Sequence, residues 1–509
     1  MLLNTRTSPA SLVFLSLLLI LAIGAGCARP PMSTASPARP AIPLEPCQLS
    51  APGAPARLPA KCGTLSAYED QPAASGRQIN LRVAVLPAIS RTPAPDPLVF
   101  ITGGPGGAST QDYVQFAGAF RRINEKRDII LMDQRGTGGS HPLACPLPDD
   151  EQDTSSDAVR QAWIESCLKQ LDADPKFYTT QAAVDDLDQV RQALGYDKLN
   201  LYGLSYGTRV ALTYLRSYPE HVRTVILDGV VPQDEPLGLT MASDAQRALD
   251  MIFKRCAADV ACKSAFPDLA GDWAALQQRV DREPVTLTIA HPTTGEPTSV
   301  KFDRNRLAVA IRLFSYQQET VALLPLLIHT AQVTGDLRQL AAQSLIVTQQ
   351  LEGSLSVPLH NSVVCAEDVP FYTWTGKWAT DAGANVEAEK RAYMGEAYQE
   401  LVKTCAMWPA AQVPPEFREP VKSDRPTLLF SGEADPVTPP INAEHAASTL
   451  SHSLHLVVPG QGHGTIIRGC VAKIAANFVE RGAVEGLDTD CLRDIRPMPF
   501  FVTLTGPKP

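Results

Sequence analysis

The chain has 509 residues, more than one compact module of ordinary size needs, and 44% of them are hydrophobic, enough to bury a substantial core. A formal net charge of −9 argues against a nucleic-acid partner, which would call for a basic surface. No H-E-x-x-H and no C-x-x-C occurs, so neither a metal nor any other cofactor is implied.

The N-terminus reads as an export signal over residues 1–26. Arg6 supplies a positive start, and Leu12 to Ile23 is an apolar run broken only by Ser16. That run falls short of the about 20 residues that cross a bilayer. Gly24-Ala25-Gly26-Cys27 follows and resembles a bacterial lipobox, in which the cysteine carries lipid. Gly24 stands where that pattern usually has leucine, which leaves ordinary cleavage as the alternative. With Ala28 in place of an aspartate after the cysteine, the resemblance implies an anchor in the outer membrane facing the periplasm; otherwise the product is periplasmic or secreted.

Export implies an oxidising compartment. Of 11 cysteines, Cys27 is set aside for lipid, and ten remain. They fall into sequence-local pairs: Cys47 with Cys62, Cys145 with Cys167, Cys256 with Cys262, Cys365 with Cys405, and Cys470 with Cys491. Proximity is a prior and not a proof; the alternative is that several are free and buried.

Residues 27–60 are rich in Pro, Ala and Ser and read as a tether. Gln78 to Leu86 alternates Ile79, Leu81, Val83 and Val85 with polar neighbours, the pattern of an antiparallel strand. Leu98-Val99-Phe100-Ile101 is a continuous apolar run, as is Ile129-Ile130-Leu131-Met132; such strands are covered on both faces. Thr102-Gly103-Gly104-Pro105-Gly106-Gly107 follows the first run, and Asp133-Gln134-Arg135-Gly136-Thr137-Gly138-Gly139-Ser140 the second.

The most informative stretch is Gly203-Leu204-Ser205-Tyr206-Gly207, which reads G-x-S-x-G. Before it, Leu199-Asn200-Leu201-Tyr202 suits a buried strand. After it, Val210, Ala211, Tyr214 and Leu215 recur at helical spacing. Strand, tight turn and helix are the setting of a nucleophile elbow. The helix N-terminus favours developing negative charge beside Ser205.

Val225-Ile226-Leu227 continues the strand series. Between 233 and 420 helical periodicity takes over, as in Ala245 to Cys256 and Arg306 to Leu313, with one hairpin over Val285 to Phe302 turning near Thr294-Gly295. This block reads as a mainly helical cap inserted into a core formed by 61–232 and 421–509. The strand pattern resumes at Thr427-Leu428-Leu429-Phe430 and at Leu454 to Val458.

Acyl transfer needs a base, an orienting acid and an oxyanion hole beside the nucleophile. Asp435, after the first of these late strands, is the expected acid, with Glu433 and Asp424 as rivals. His463, in Gly460-Gln461-Gly462-His463-Gly464 after the last, is the expected base. Both stand at carboxyl ends of strands, where open α/β sheets place their sites. Of the other histidines, His141 stands near the edge of the site and is a candidate to line it. His221, His445, His452 and His455 read as structural. The amide of Gly103 or Gly104, paired with that of Tyr206, would hold an oxyanion.

Three motifs in order, Gly103 to Gly107, Asp133 to Ser140 and Gly203 to Thr208, together resemble the proline iminopeptidase and tripeptidyl aminopeptidase family of serine peptidases. Asp435-Pro436-Val437-Thr438-Pro439 and the cysteine-bearing tail resemble its larger, tripeptidyl branch. The resemblance covers about 60–500. It departs at Thr102, where proline iminopeptidases have histidine. It implies an α/β-hydrolase fold with a helical cap, and removal of residues from free N-termini of short peptides. It also implies Ser205 as nucleophile, His463 as base and Asp435 as its orienting partner. Asp133 and Arg135 would form an ion pair that fixes their turn.

An exopeptidase must also recognise an ammonium group, which carboxylates do through charge-assisted hydrogen bonds. Glu367 and Asp368, beside Cys365, are the expected pair. Trp374 and Trp408 would pack near them as cap core. Two other functions are compatible with the same motifs: an exported esterase or lipase using the same triad, and a non-catalytic lipoprotein.

Overall fold

A computed structural model describes residues 41–53, 55–146, 156–373, 385–395 and 397–507, without the side chains of 347, 348 and 350–352. Cys27, the export signal and Trp374 lie outside the described residues.

Eleven strands occur among these residues: β1 Glu45–Leu49, β2 Leu58–Asp70, β3 Ser75–Leu86, β4 Leu98–Ile101, β5 Ile129–Met132, β6 Leu199–Leu204, β7 Val222–Asp228, β8 Val285–Ala290, β9 Pro297–Phe302, β10 Thr427–Gly432 and β11 Ser453–Val458. Nine form one sheet in the order β1-β2-β3-β5-β4-β6-β7-β10-β11. The first three are antiparallel, and β3 meets β5 antiparallel. From β5 to β11 all neighbours are parallel.

The apolar runs explain the parallel half. Every residue of β4, β5 and β6 is buried. One face packs on helices Thr180–Leu194, Tyr206–Ser217 and Pro440–Ala447, through residues such as Val184, Val210 and Ala443. The other packs on helices Ser109–Asn124 and Val471–Arg481, through Phe120, Ile474 and Phe478.

The tether reading fails beyond Glu45. β1 and β2 extend the sheet, with Glu45 opposite Cys62 and Leu49 opposite Leu58. Their signal in sequence is weak for a physical reason. The buried positions of β2 include small residues, Ala60, Cys62 and Ala67, and β1 carries Pro46, which is tolerated because the strand lies at the sheet edge.

Between β7 and β10 lie helices and the β8-β9 hairpin. They bury a separate core around Leu249, Trp273, Phe302, Phe314 and Ile328, which Phe500 near the C-terminus joins. Phe501 N–H donates to Ala322 O (2.9 Å), so the tail returns to this block. The ten cysteines form five disulfides with the expected partners. Trp408 is buried in a smaller cluster with Cys365 and Cys167, stacked on Trp163 and donating to Ser362 Oγ. Among the described residues no helix is long and apolar enough to cross a membrane.

Candidate active site

Ser205 stands between β6 and the helix Tyr206–Ser217 with φ of 57° and ψ of −127°, a strained turn for a residue with a side chain. Two glycines permit it. A Cβ on Gly203 would strike the backbone of Gly207, and one on Gly207 would strike the carbonyls of Ile101 and Thr102. The elbow is held by Ser205 N–H donating to Asp228 O (2.9 Å). The first amides of the helix, Tyr206 among them, have no intrahelical acceptor.

The loop after β4 lies directly against the nucleophile. A Cβ on Gly103 would come within 2.8 Å of Ser205 Cβ. Gly107 N–H donates to Gly103 O (3.1 Å), which folds the loop back. Thr102, the departure from the family pattern, donates its hydroxyl to Asp112 on the helix Ser109–Asn124. Burial pushes the Asp112 carboxyl up to about 6.

His463 and Asp435 meet. The imidazole Nδ1 lies 2.8 Å from Asp435 Oδ2, so it is the donor and Nε2 is the nitrogen free for proton transfer. Asp435 is fully buried and also accepts from Val437 N–H (2.8 Å), Thr438 N–H (3.0 Å) and Thr438 Oγ (2.8 Å). Burial alone would raise its pKa; the charge and hydrogen bond of His463, with these amides, outweigh that and lower it. For His463 burial disfavours the imidazolium, but the charge and hydrogen bond of Asp435, joined by Asp228, raise the pKa. The rivals are occupied elsewhere: Glu433 accepts from Gly460 N–H (2.7 Å), and Asp424 engages His452 through its carbonyl.

Ser205 and His463 line one cavity of about 330 Å³. Among the described residues no hydrogen bond joins Ser205 Oγ to the imidazole; such contacts commonly tighten only around a substrate. Gly103 and Gly104 line the same cavity, as does Thr438, whose hydroxyl lies 3.2 Å from His463 Nδ1.

Glu367 and Asp368 do not line it. Both are fully buried. Glu367 accepts from Thr180 N–H and Oγ (2.6 Å each). Asp368 pairs with Arg209 of the elbow helix (2.7 Å) and accepts from Leu237 N–H (2.8 Å). The reason for the misreading is local. The disulfide at Cys365 does hold the end of the helix Val357–Glu367, but it turns these acids toward the core, where Arg209 is buried and needs a counter-charge.

The carboxylates that line the cavity are Asp112, Glu235 and Asp244. Glu235 stands in the loop after β7, and its carbonyl accepts from Arg209 Nη2 (2.6 Å). Burial, then the charge of Asp244, pushes Glu235 up to about 8; burial pushes Asp244 up to about 7. Neither makes an ion pair with a described residue. Sequence reading missed them because a Glu in a loop and an Asp on an amphipathic helix look like solvated charge.

His360 was missed as well. It lines the cavity with its pKa lowered by burial, bonded to the Pro105 carbonyl. His141 is not among the lining residues; its Nε2 lies 2.8 Å from Asp172 O. Asp133 and Arg135 do not pair with each other. Asp133 accepts from Thr110 N–H (2.8 Å) and Gly139 N–H (2.9 Å), while Arg135 grips Asp186 through Nε (2.7 Å) and Nη2 (2.8 Å). Each anchors the turn to a different helix.

Residues 96–469 match a family described by the alpha/beta hydrolase fold. The chain is 24% identical to the tripeptidyl aminopeptidase of Streptomyces coelicolor, with 87% of this chain and 84% of that one covered. It is 26% identical to the serine protease Hip1 of Mycobacterium tuberculosis, with 94% and 97% covered. To the proline iminopeptidase of Lactobacillus delbrueckii subsp. bulgaricus it is 33% identical, over 26% of this chain and 36% of that one.

Proposed function

This chain belongs to the α/β-hydrolase fold family, and within it we propose a serine exopeptidase that acts near the free N-terminus of short peptides. Ser205 Oγ attacks the scissile carbonyl. His463 Nε2 takes the serine proton and returns it to the leaving amine, while Asp435 orients the ring and stabilises its charged form. The tetrahedral oxyanion is held by the Tyr206 amide and an amide of Gly103 or Gly104; one such donor is worth about 3–4 kcal/mol. Water then releases the acyl-enzyme by the same steps in reverse.

The observation that carries the reading is the pairing of two features in one cavity. Ser205 and His463 line it, and so do the carboxyls of Glu235 and Asp244, neither of which makes an ion pair with a described residue. Burial raises the pKa of each more than Arg209 and Arg247 lower it, and neither carboxylate has a cation in ion-pair contact among the described residues. A peptide ammonium supplies one, so the substrate completes the charge balance of the site. An ester substrate has no such group to offer. The peptidase names of the relatives support the same reading.

The five disulfides support an exported enzyme. Lipid attachment at Cys27 is part of the proposal and is checked by the mass of the mature N-terminal peptide.

The test is hydrolysis of Pro-, Ala- and Ala-Pro-Ala-anilides, each with free and acetylated N-termini, by wild type, Ser205→Ala and Glu235→Gln. The expected result is cleavage of free-amine substrates alone, abolished in Ser205→Ala and with raised KM in Glu235→Gln. The best substrate then tells whether one residue or three leave. Cleavage of short p-nitrophenyl esters without any anilide would make the enzyme an esterase.

A further inference from the structure

The cavity holds a second charged feature that the exopeptidase reading does not use. Arg312 lies near the end of the helix Arg304–Phe314 and lines the cavity beside Tyr316 and His463. Its guanidinium stands 5.5 Å from the centre of the Tyr316 ring, which in turn packs edge-on against the His463 ring at 5.3 Å. It makes no ion pair with a described residue, and its Nε is buried without any hydrogen-bond partner. A buried guanidinium nitrogen left without an acceptor carries a desolvation cost that an arriving acceptor would offset. Guanidinium and carboxylate match in a two-bond fork, so the fitting partner is a carboxylate.

Its place in the cavity tells which part of the substrate carries that carboxylate. Arg312 is among the charges that act on His463 and Tyr316. Through the Tyr316 ring, which packs edge-on against His463, Arg312 stands on the imidazole side of the cavity. The leaving amine departs past the imidazole that protonates it. A group beside that imidazole faces the part of the peptide that leaves.

We propose that Arg312 is a specificity-determining residue that binds a carboxylate on the leaving portion of the peptide, close to the scissile bond. The inference rests on the exopeptidase reading and sharpens its substrate class. The enzyme would prefer short peptides whose leaving part is brief enough for its terminal carboxylate to reach Arg312, or whose first leaving residue is acidic. With an ammonium held by Glu235 and Asp244 and a carboxylate held by Arg312, both ends of a short peptide would be read in one cavity.

The experiment takes the acyl portion that performs best in the anilide series and joins it to four leaving groups: Ala with a free carboxylate, Ala amide, Asp amide and Asn amide. Wild type, Arg312→Gln and Arg312→Lys are compared through the ratio of kcat/KM within each pair. The expected wild-type ratio, carboxylate over amide, is about 10- to 100-fold in at least one pair. The free-Ala pair reports a terminal carboxylate and the Asp/Asn pair a side chain. Arg312→Gln should bring the ratio close to one, and Arg312→Lys should retain part of it. A wild-type ratio near one in both pairs overturns the assignment of Arg312 while the exopeptidase reading stands. So does an Arg312→Gln variant that slows both members of a pair equally, since that describes support for Tyr316 and His463. Failure of wild type to cleave any of the four overturns both readings.

Discussion

The carboxylate of Asp228 accepts hydrogen bonds from the backbone N–H of Thr465 at 2.9 Å and from its hydroxyl at 3.0 Å. Thr465 stands two residues past His463. Asp228 ends β7, is fully buried, and also accepts from Ile466 N–H and Tyr202 Oη. Its carbonyl receives the Ser205 amide. One residue thus ties the loop of the proposed base to the elbow of the proposed nucleophile.

Asp228→Asn should therefore disturb catalysis without touching substrate. The amide keeps one accepting oxygen where the carboxylate uses two, so part of the set donated by Thr465, Ile466 and Tyr202 is lost, which costs about 1–3 kcal/mol. We expect kcat to fall about tenfold or more, with KM little changed, because the His463 loop loses its register. Steady-state kinetics and urea unfolding check this. Full kcat in a destabilised variant would show that the loop keeps its place without the carboxylate.

Thr438→Val tests the support of Asp435. The Thr438 hydroxyl donates to Asp435 Oδ2 at 2.8 Å and lies 3.2 Å from His463 Nδ1. Its loss leaves Asp435 with one hydrogen bond fewer in a buried setting, worth about 1–2 kcal/mol. The expected outcome is a fall in kcat of about tenfold and an upward move of the acid limb of kcat for the best free-amine anilide. Equal activity at every pH would assign Thr438 to packing alone.

The pH dependence of free-amine substrates should differ from that of the chemistry itself. Glu235 is pushed up to about 8 and Asp244 to about 7, both above the unfolded carboxylate range. Groups raised in the fold contribute stability at low pH and lose it as pH rises through the folded pKa. An ammonium that binds their charged forms restores it. KM for free-amine peptides should thus fall from pH 6 to pH 8, then rise again as the substrate amine, with a pKa of about 8, loses its own proton. His463 must be neutral to act as base, so its raised pKa contributes a separate acid limb to kcat. A KM that is flat over this range would remove Glu235 and Asp244 from amine recognition.

Asp368→Asn should unfold the protein more readily. It leaves Arg209, buried on the elbow helix, without the carboxylate 2.7 Å away. Breaking a buried pair on one side costs about 3–5 kcal/mol. Glu367→Gln should cost less, since Thr180 can still donate to the remaining oxygen. In both variants KM for free-amine substrates should match wild type. A selective loss of free-amine substrates would return these acids to the role first expected of them.

Local chemistry made much of this protein legible before any fold was drawn. The apolar runs of β4, β5, β6 and β10 announce strands covered on both faces, because only such strands dispense with polar alternation. Gly203 and Gly207 around Ser205 announce a turn that no larger residue permits. Asp435 and His463 are readable because each follows a strand of that kind. What the chain order cannot express is which charges end up facing a cavity and which face one another. Glu367 and Asp368 look like surface acids beside a disulfide, yet the fold spends them on Arg209 and Thr180. Glu235, Asp244 and Arg312 look like ordinary loop and helix charges, yet they line the cavity without an ion pair among the described residues. That choice depends on contacts between segments more than a hundred residues apart, such as Arg209 with Asp368, and only the tertiary structure decides it.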